Sequence, residues 1–265
     1  MLPLVLACFA VFGDRQGVLR AIPPTWALVV INPKEATERR AHVQRQIAKL
    51  HAPLVHFVSS PLIPELGLLG CLEGHRRAYK WVAQQPPSLQ YAVIIEDDIF
   101  IDEDVAELRK FLSWASMAPR LAHYPLIQLF YANQQHVEDP VVPPGPIYAD
   151  VCESNGHLTS AVATAVLREY ASFVHKLLGG AVPRTIQNYF DRKHPMWFYD
   201  ADVLLSRVQR QNNHGAWCPG NNAVEYSFSK HIRLSAHNDR SMNQGGREPS
   251  NAGITKTYLE RAVSS

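Results

Sequence analysis

Residues Tyr91 to Asp98 read Tyr-Ala-Val-Ile-Ile-Glu-Asp-Asp, a short apolar run that ends abruptly in three consecutive carboxylates. A run apolar at every position is a strand buried on both faces, which a parallel sheet covered by helices requires. Three adjacent carboxylates at its end repel one another, and each would cost roughly several kcal/mol if buried unpaired. A positive partner is therefore expected, and a divalent cation with oxygen ligands is the simplest. The alternative is a solvated acid cluster that also caps the next helix, since Asp102, Glu103 and Asp104 follow before Val105.

The surrounding pattern supports a sheet. Trp26 to Ile31 reads as the first buried strand, ended by Asn32-Pro33. A helix is expected from Ala36 to Leu50, with Val43, Ile47 and Leu50 on one face. Its first turn carries Arg39 and Arg40, where cations oppose the helix dipole. A bound diphosphate would reconcile them with that position; pairing with Glu35 and Glu38 is the structural alternative. Leu54 to Val58 reads as a second strand. Gly67 and Gly70 suit a tight turn or a close backbone approach, and a helix then runs to Gln84. His75 shares its apolar stripe with Leu72, Tyr79 and Val82, the place of a hydrogen-bonded core histidine.

Downstream, a helix is expected from Val105 to Ser116, capped by the acids 102–104, then a strand from Leu126 to Phe130. The proline-rich stretch from Asn133 to Pro146 is long enough for a binding loop or lid. Short strands are expected over Tyr148 to Cys152 and Thr159 to Ala163. A helix follows from Ala165 to Leu178, ended by Gly179-Gly180, and a further helix opens at Trp197 to Asp202. Strands alternating with helices over the first 130 residues imply an α/β fold with a mainly parallel central sheet flanked by helices. Ligands in such sheets sit at the carboxyl ends of the strands, where the three acids stand.

Composition narrows the partners. A net charge of +2 gives no overall pull towards nucleic acid, so an anionic ligand must be held by local groups. The 265 residues suit one large domain: an extension over residues 1–24, a domain over 25–233, and a polar tail over 234–265. The apolar run from Leu2 to Phe12 has the length of a signal-peptide core without a preceding Lys or Arg. Signal or anchor stands against an extension packed on the domain, so membrane association through this run and the compartment (cytoplasm or secretory lumen) stay open. Cys8, Cys71, Cys152 and Cys218 lack Cys-x-x-Cys spacing, which argues against a structural zinc site and leaves thiols as the default.

Three blocks in order resemble glycosyltransferase family 25, whose members include lipopolysaccharide and collagen galactosyltransferases. They are Val29-Val30-Ile31-Asn32 with Arg39-Arg40, then Gly67-Leu-Leu-Gly70-Cys71-Leu-Glu-Gly74-His75, then Ile95-Glu96-Asp97-Asp98. Gly74 stands where the family usually has serine. Gly156 to Ala161 is similar to the family's Thr-containing strand, without its usual Tyr.

The resemblance implies a GT-A fold and a nucleotide-sugar donor, UDP-galactose above all. It also implies inversion, an acceptor hydroxyl on a glycan or protein, and Mn²⁺ or Mg²⁺ bridging the donor diphosphate to carboxylates. Asp98 is then the first metal ligand, with Glu96 linked to metal or ribose, because Glu-x-Asp spacing in a strand points both side chains one way. Asn32, Arg39, Arg40, His75, Glu96 and Asp97 are expected around the nucleotide. The base for the acceptor hydroxyl is expected at Asp200 or Asp202, after the aromatic run Trp197-Phe198-Tyr199. Helix capping is the structural alternative there, and Glu225 and Glu153 are weaker choices. His157, His214 and His231 are open as a further metal ligand. Two other classes remain: a catalytically silent nucleotide-sugar- or glycan-binding relative, and a metal-dependent phosphoryl hydrolase.

Overall fold

The computed structural model describes residues 25–63, 67–101, 104–130, 151–153, 161–191, 201, 204–205, 214–217 and 232–234. Its first strand, β1 (Trp26–Ile31), is buried at all six positions. Its neighbours are β2 (Val55–Val58) and β3 (Tyr91–Glu96), both parallel to it. The register sets Ile31 opposite Glu96, so the ends of β1 and β3 lie side by side.

Beyond β3 the sheet continues through β7 (Ala163–Leu167), β5 (Leu126–Gln128), β8 (Gly215–Trp217) and β6 (Val151–Glu153), in the order β2-β1-β3-β7-β5-β8-β6. β7 runs antiparallel to both β3 and β5, while β8 is parallel to β5 and β6 antiparallel to β8. Five strands therefore share one direction and two oppose it. The sheet is mixed but mainly parallel, the α/β class that the sequence implies.

Strand alternation divides the core into two halves. Leu28, Val30, Val93 and Ile95 face one side, against Val43 and Ile47 of α1 (Thr37–Ala48). The same half takes Leu108 and Phe111 of α3 (Ala106–Leu112) and Met117 and Leu121 of α4 (Trp114–His123). Val29, Ile31, Ala92 and Ile94 face the other side, against Leu72, Tyr79 and Val82 of α2 (Gly67–Gln84) and Ala171, Val174 and Leu178 of α5 (Arg168–Asp191). Each large side chain buried this way contributes about 1.5–3 kcal/mol. Two buried tyrosine hydroxyls find partners there: that of Tyr79 pairs with Thr164 Oγ1 at 3.1 Å, and that of Tyr91 donates to the Leu112 carbonyl. Among the described residues no helix is long and apolar enough to cross a membrane.

Several local expectations change. β3 ends at Glu96, and Asp97-Asp98 form a turn into a short strand, β4 (Ile99–Ile101), that the sequence did not announce. β4 pairs antiparallel with β9 (Ile232–Leu234) in a separate two-stranded sheet. The helix expected from Val105 to Ser116 breaks at Ser113 into α3 and α4. The N-cap of α3 is Val105 without a side-chain cap, and Asp104 Oδ1 reaches Ala106 N at 3.4 Å. Asp102 and Glu103 lie outside the described residues. Gly179-Gly180 does not end its helix, because the apolar face of α5 runs on through Ala181 and Val182, and packing outweighs the propensity cost of about 1 kcal/mol per glycine.

Candidate functional site

The three acids fall at the carboxyl end of β3, and each meets a different environment. Glu96 is still in the strand and follows Ile94 onto the α2 side. There its Oε1 accepts a hydrogen bond from His75 Nε2 at 2.8 Å and lies 3.5 Å from Cys71 Sγ. Burial alone would raise its pKa. The hydrogen bond and charge of His75, then Cys71 and Arg39, outweigh burial and hold it below the ordinary carboxylate value.

Asp97 lies past the strand end, so alternation no longer governs it. Its Oδ2 accepts from Asn32 Nδ2 at 2.5 Å and pairs with Arg39 Nε at 3.3 Å. Burial still carries its pKa upward, opposed by Arg39 and Asn32 and assisted by Glu96. Asp98 is only 5% exposed, and its Oδ1 has no hydrogen-bond partner among the described residues. Burial, then the charges of Glu96 and Asp97, push it up to about 7 against the pull of Arg39. Of the pair expected from Glu-x-Asp spacing, Glu96 has its Oε1 engaged by α2 and Asp98 keeps an unpartnered Oδ1, while Asp97 is the acid held by Asn32 and Arg39.

Two elements of the first β-α unit complete this corner. Asn32 directly follows β1 and is 1% exposed. Its amide bridges Asp97 and the Ala36 carbonyl (3.3 Å), while its Oδ1 is unpartnered among the described residues. Arg39 and Arg40 diverge. Arg39 turns to the acids, whereas the Arg40 guanidinium lies 4.1 Å over the Phe57 ring of β2, a cation–π contact.

The glycines of α2 explain how that helix comes so near the strand ends. Gly67 and Gly70 are helical rather than a turn, but Gly70 does mark a close approach: a Cβ there would lie 2.5 Å from the Pro61 carbonyl oxygen. A Cβ on Gly74 would lie 2.7 Å from Ile31 Cγ2 and 2.8 Å from Ser60 Cβ. Spaced four residues apart, the two glycines give α2 a bare stripe that packs onto the end of β1 at Gly74 and onto the segment from Ser60 to Ile63, just after β2, at both. Cys71 and His75, the residue after each, are thereby carried to Glu96. Cys71 is the functional candidate that sequence reasoning passed over. Its signal was the i, i+4 spacing to His75 on one helix.

Of the remaining expected residues, only Glu153 and His214 are described, and His214 does not join this corner. Asp200 and Asp202 lie outside the described residues, as do His157, Glu225 and His231; Ala201 between the two acids is helical and buried. Glu153 belongs to β6. His214 is buried just before β8, where its Nε2 pairs with the Tyr170 hydroxyl of α5 at 2.8 Å, and burial lowers its pKa to about 4.

No protein-family model and no curated protein matches the chain. Solved structures with similar folds include the glycosyltransferase GlyE of Streptococcus pneumoniae TIGR4, at 7% identity over 72% of this chain and 44% of that one, with a TM-score of 0.43. Its apo form overlaps at 8% identity, over 73% and 45% of the two chains, with a TM-score of 0.40. A glycosyltransferase involved in glycosylating the major capsid of PBCV-1 overlaps at 13% identity, over 74% of this chain and 96% of that one, with a TM-score of 0.35. The chain spans less than half the length of the GlyE structures. Overlaps this loose decide neither reaction nor substrate.

Proposed function

We propose that this protein is a metal-dependent, inverting glycosyltransferase that moves a hexose, galactose from UDP-galactose in the first instance, to a glycan or protein hydroxyl. The observation that carries the reading is Asp98. It is a buried carboxylate at the carboxyl end of a parallel strand, flanked by two further acids, and its Oδ1 has no partner among the described residues. An acids-only reading leaves that oxygen unexplained. A hard divalent cation, Mn²⁺ or Mg²⁺, fits it, with Asp98 as first ligand and Glu96 as second. Such a cation, when bound, supplies Lewis-acid neutralisation of a leaving diphosphate.

The chain's own residues take the other roles. Arg39, already beside the acids, binds the diphosphate, and Asn32 fixes Asp97 and so the turn that presents Asp98. Arg40 contributes less, because its guanidinium is placed over Phe57. The proton of the acceptor hydroxyl passes to Asp200 or Asp202, the acids the sequence offers for that step.

The test is Mn²⁺-dependent UDP release from a panel of UDP-hexoses with a mixed glycan acceptor. Asp98→Ala is expected to lose about 10²–10³-fold in turnover, the scale of removing one transition-state stabiliser. Arg39→Ala is expected to weaken UDP binding by about 10–100-fold, the scale of a hydrogen bond to a charged group, with Arg40→Ala nearer wild type. Equal turnover in wild type and Asp98→Ala would sink the metal assignment. Mn²⁺-dependent UDP binding without turnover of any donor would instead identify a silent binding relative.

A further inference from the structure

We propose that Cys71, His75 and Glu96 form a second cation site, for a borderline-soft divalent ion of the Zn²⁺ class, separate in donor chemistry from the oxygen ligands at Asp98. Sulfur, imidazole nitrogen and carboxylate oxygen are brought together here, all within 4.8 Å of one another. The His75 Nε2 to Glu96 Oε1 distance is 2.8 Å and the Cys71 Sγ to Glu96 Oε1 distance is 3.5 Å. A tetrahedral ion with bonds of about 2.0–2.3 Å holds its ligand atoms about 3.3–3.7 Å apart. The three donors are thus within small side-chain adjustments of a ligand shell.

The placement is built by the fold. Helical periodicity puts Cys71 and His75 on one face of α2, strand alternation turns Glu96 towards that face, and the bare glycine stripe brings the two elements together. Both elements belong to the core, so the donors are held by rigid backbone. His75 is fully buried, while Cys71 is half-buried and the Glu96 side chain is 21% exposed, which gives an ion a route in. In the metal-free state His75 Nε2 and the Cys71 thiol both donate to Glu96 Oε1, so the protons of these two bonds occupy the space that an ion would take. One thiolate, one imidazole and one carboxylate suit Zn²⁺ or Co²⁺ far better than Mg²⁺, and three protein ligands leave a fourth position open.

Protons balance simply. Binding releases the Cys71 thiol proton to solvent and also displaces the proton that His75 Nε2 donates to Glu96, which leaves to solvent from a protonated ring or moves to Nδ1 in a neutral one; His75 is then the Nδ1–H tautomer, with Nε2 free for the metal. Nδ1 is the ring nitrogen with no partner among the described residues. Glu96 is common to this site and to the cation proposed at Asp98, so Zn²⁺ and Mn²⁺ compete for it; that consequence, unlike the site itself, rests on the proposed function.

The test uses the full chain, stripped of metal and titrated with Co²⁺. A thiolate-to-Co²⁺ charge-transfer band with tetrahedral d–d absorption is expected, displaced by one equivalent of Zn²⁺. Cys71→Ser should abolish the charge-transfer band, His75→Gln should weaken Co²⁺ binding at least tenfold, and Asp98→Asn should leave the spectrum as in wild type. Absence of the band, or its persistence in Cys71→Ser, overturns the site. Should the variants not fold, alkylation of the wild-type chain decides: Zn²⁺ should slow iodoacetamide labelling of Cys71 at least tenfold in peptide mass spectra, and an unchanged rate overturns the site. The two readings fail separately, because Mn²⁺-dependent UDP binding responds to Asp98→Asn and the Co²⁺ thiolate band does not.

Discussion

Three consecutive acids of similar intrinsic acidity leave the fold with different ones, and the differences have a measurable sign. Asp98 is raised to about 7 by burial and by its two acidic neighbours, so folding disfavours its ionised form. Its stabilising contribution is present below the unfolded value near 4 and is lost as pH rises to about 7. Asp97, also raised, acts in the same direction. Glu96 is lowered despite burial, and so is Glu73, where burial is outweighed by its ion pairs with Arg76 and Arg77. Both therefore stabilise above the unfolded carboxylate value and lose that contribution only as pH falls through their folded values. Between pH 5 and 8 this trend meets an opposing one: His214, lowered to about 4 by burial, and His56 and His175, lowered for the same reason, make stability rise with pH up to the free imidazole value of about 6.5. The Asp98 share is therefore read as a difference. With chelator present, the unfolding free energy of wild type relative to Asp98→Asn, from urea titration, should fall by roughly 2–3 kcal/mol from pH 5 to 8, at 1.36 kcal/mol per pKa unit. Mn²⁺ should reverse that difference; a chelated wild type that loses no stability relative to Asp98→Asn over this interval would refute the assignment.

At the scale of elements, glycine is the instructive residue, because the same side chain means opposite things in α2 and α5. Gly74 is filled space: a Cβ would meet Ile31 and Ser60 below 3 Å. Restoring the serine expected from the family resemblance should cost about 1–3 kcal/mol by overpacking. Gly180 has nothing within 4 Å of its added Cβ and sits inside a helix, so Gly180→Ala should gain about 0.5–1 kcal/mol. Thermal or urea unfolding of the two variants checks both signs, and a neutral Gly74→Ser would mean that α2 can shift away from β1. This contrast also marks what was legible in the sequence. β1, β3 and most of α1 and α2 were readable because their burial is periodic and local. The end of α5 was not, because a Gly-Gly pair is a local stop signal that continued packing of Ala181 and Val182 overrides. β4 was hidden for a different reason: three residues, Ile99 to Ile101, acquire strand identity only from a partner at Ile232 to Leu234. In the site, Asn32, Arg39 and the acids announced themselves by position. The pairing of Glu96 with Cys71 and His75 depends on how closely α2 approaches, which no single stretch encodes.

At the scale of the whole molecule, the acid corner is clamped from both ends of the chain. β4 begins at the residue after Asp98, so whatever holds β4 also holds the turn that carries Asp97 and Asp98. On one side α1 grips it: His42 Nε2 hydrogen-bonds with the Ile99 carbonyl at 2.8 Å, Gln46 Oε1 accepts from Ile101 N at 2.9 Å, and Lys49 Nζ donates to the Ile101 carbonyl at 2.6 Å. On the other side its strand partner is β9, from the far end of the sequence. The pairing of the main sheet does not involve β9, which hydrogen-bonds with none of its strands. A chain ending at residue 231 should therefore keep its far-UV circular dichroism, while its Tm falls by about 4–8 °C, the shift for a loss of about 2 kcal/mol in a domain of this size. Its affinity for Mn²⁺–UDP should fall more than tenfold, because an isolated β4 no longer fixes the turn before it. Calorimetric titration of the full and shortened chains measures both affinities. Unchanged affinity alongside a lowered Tm would make β9 a stabilising strand only, and would locate the control of the acid turn in α1 alone.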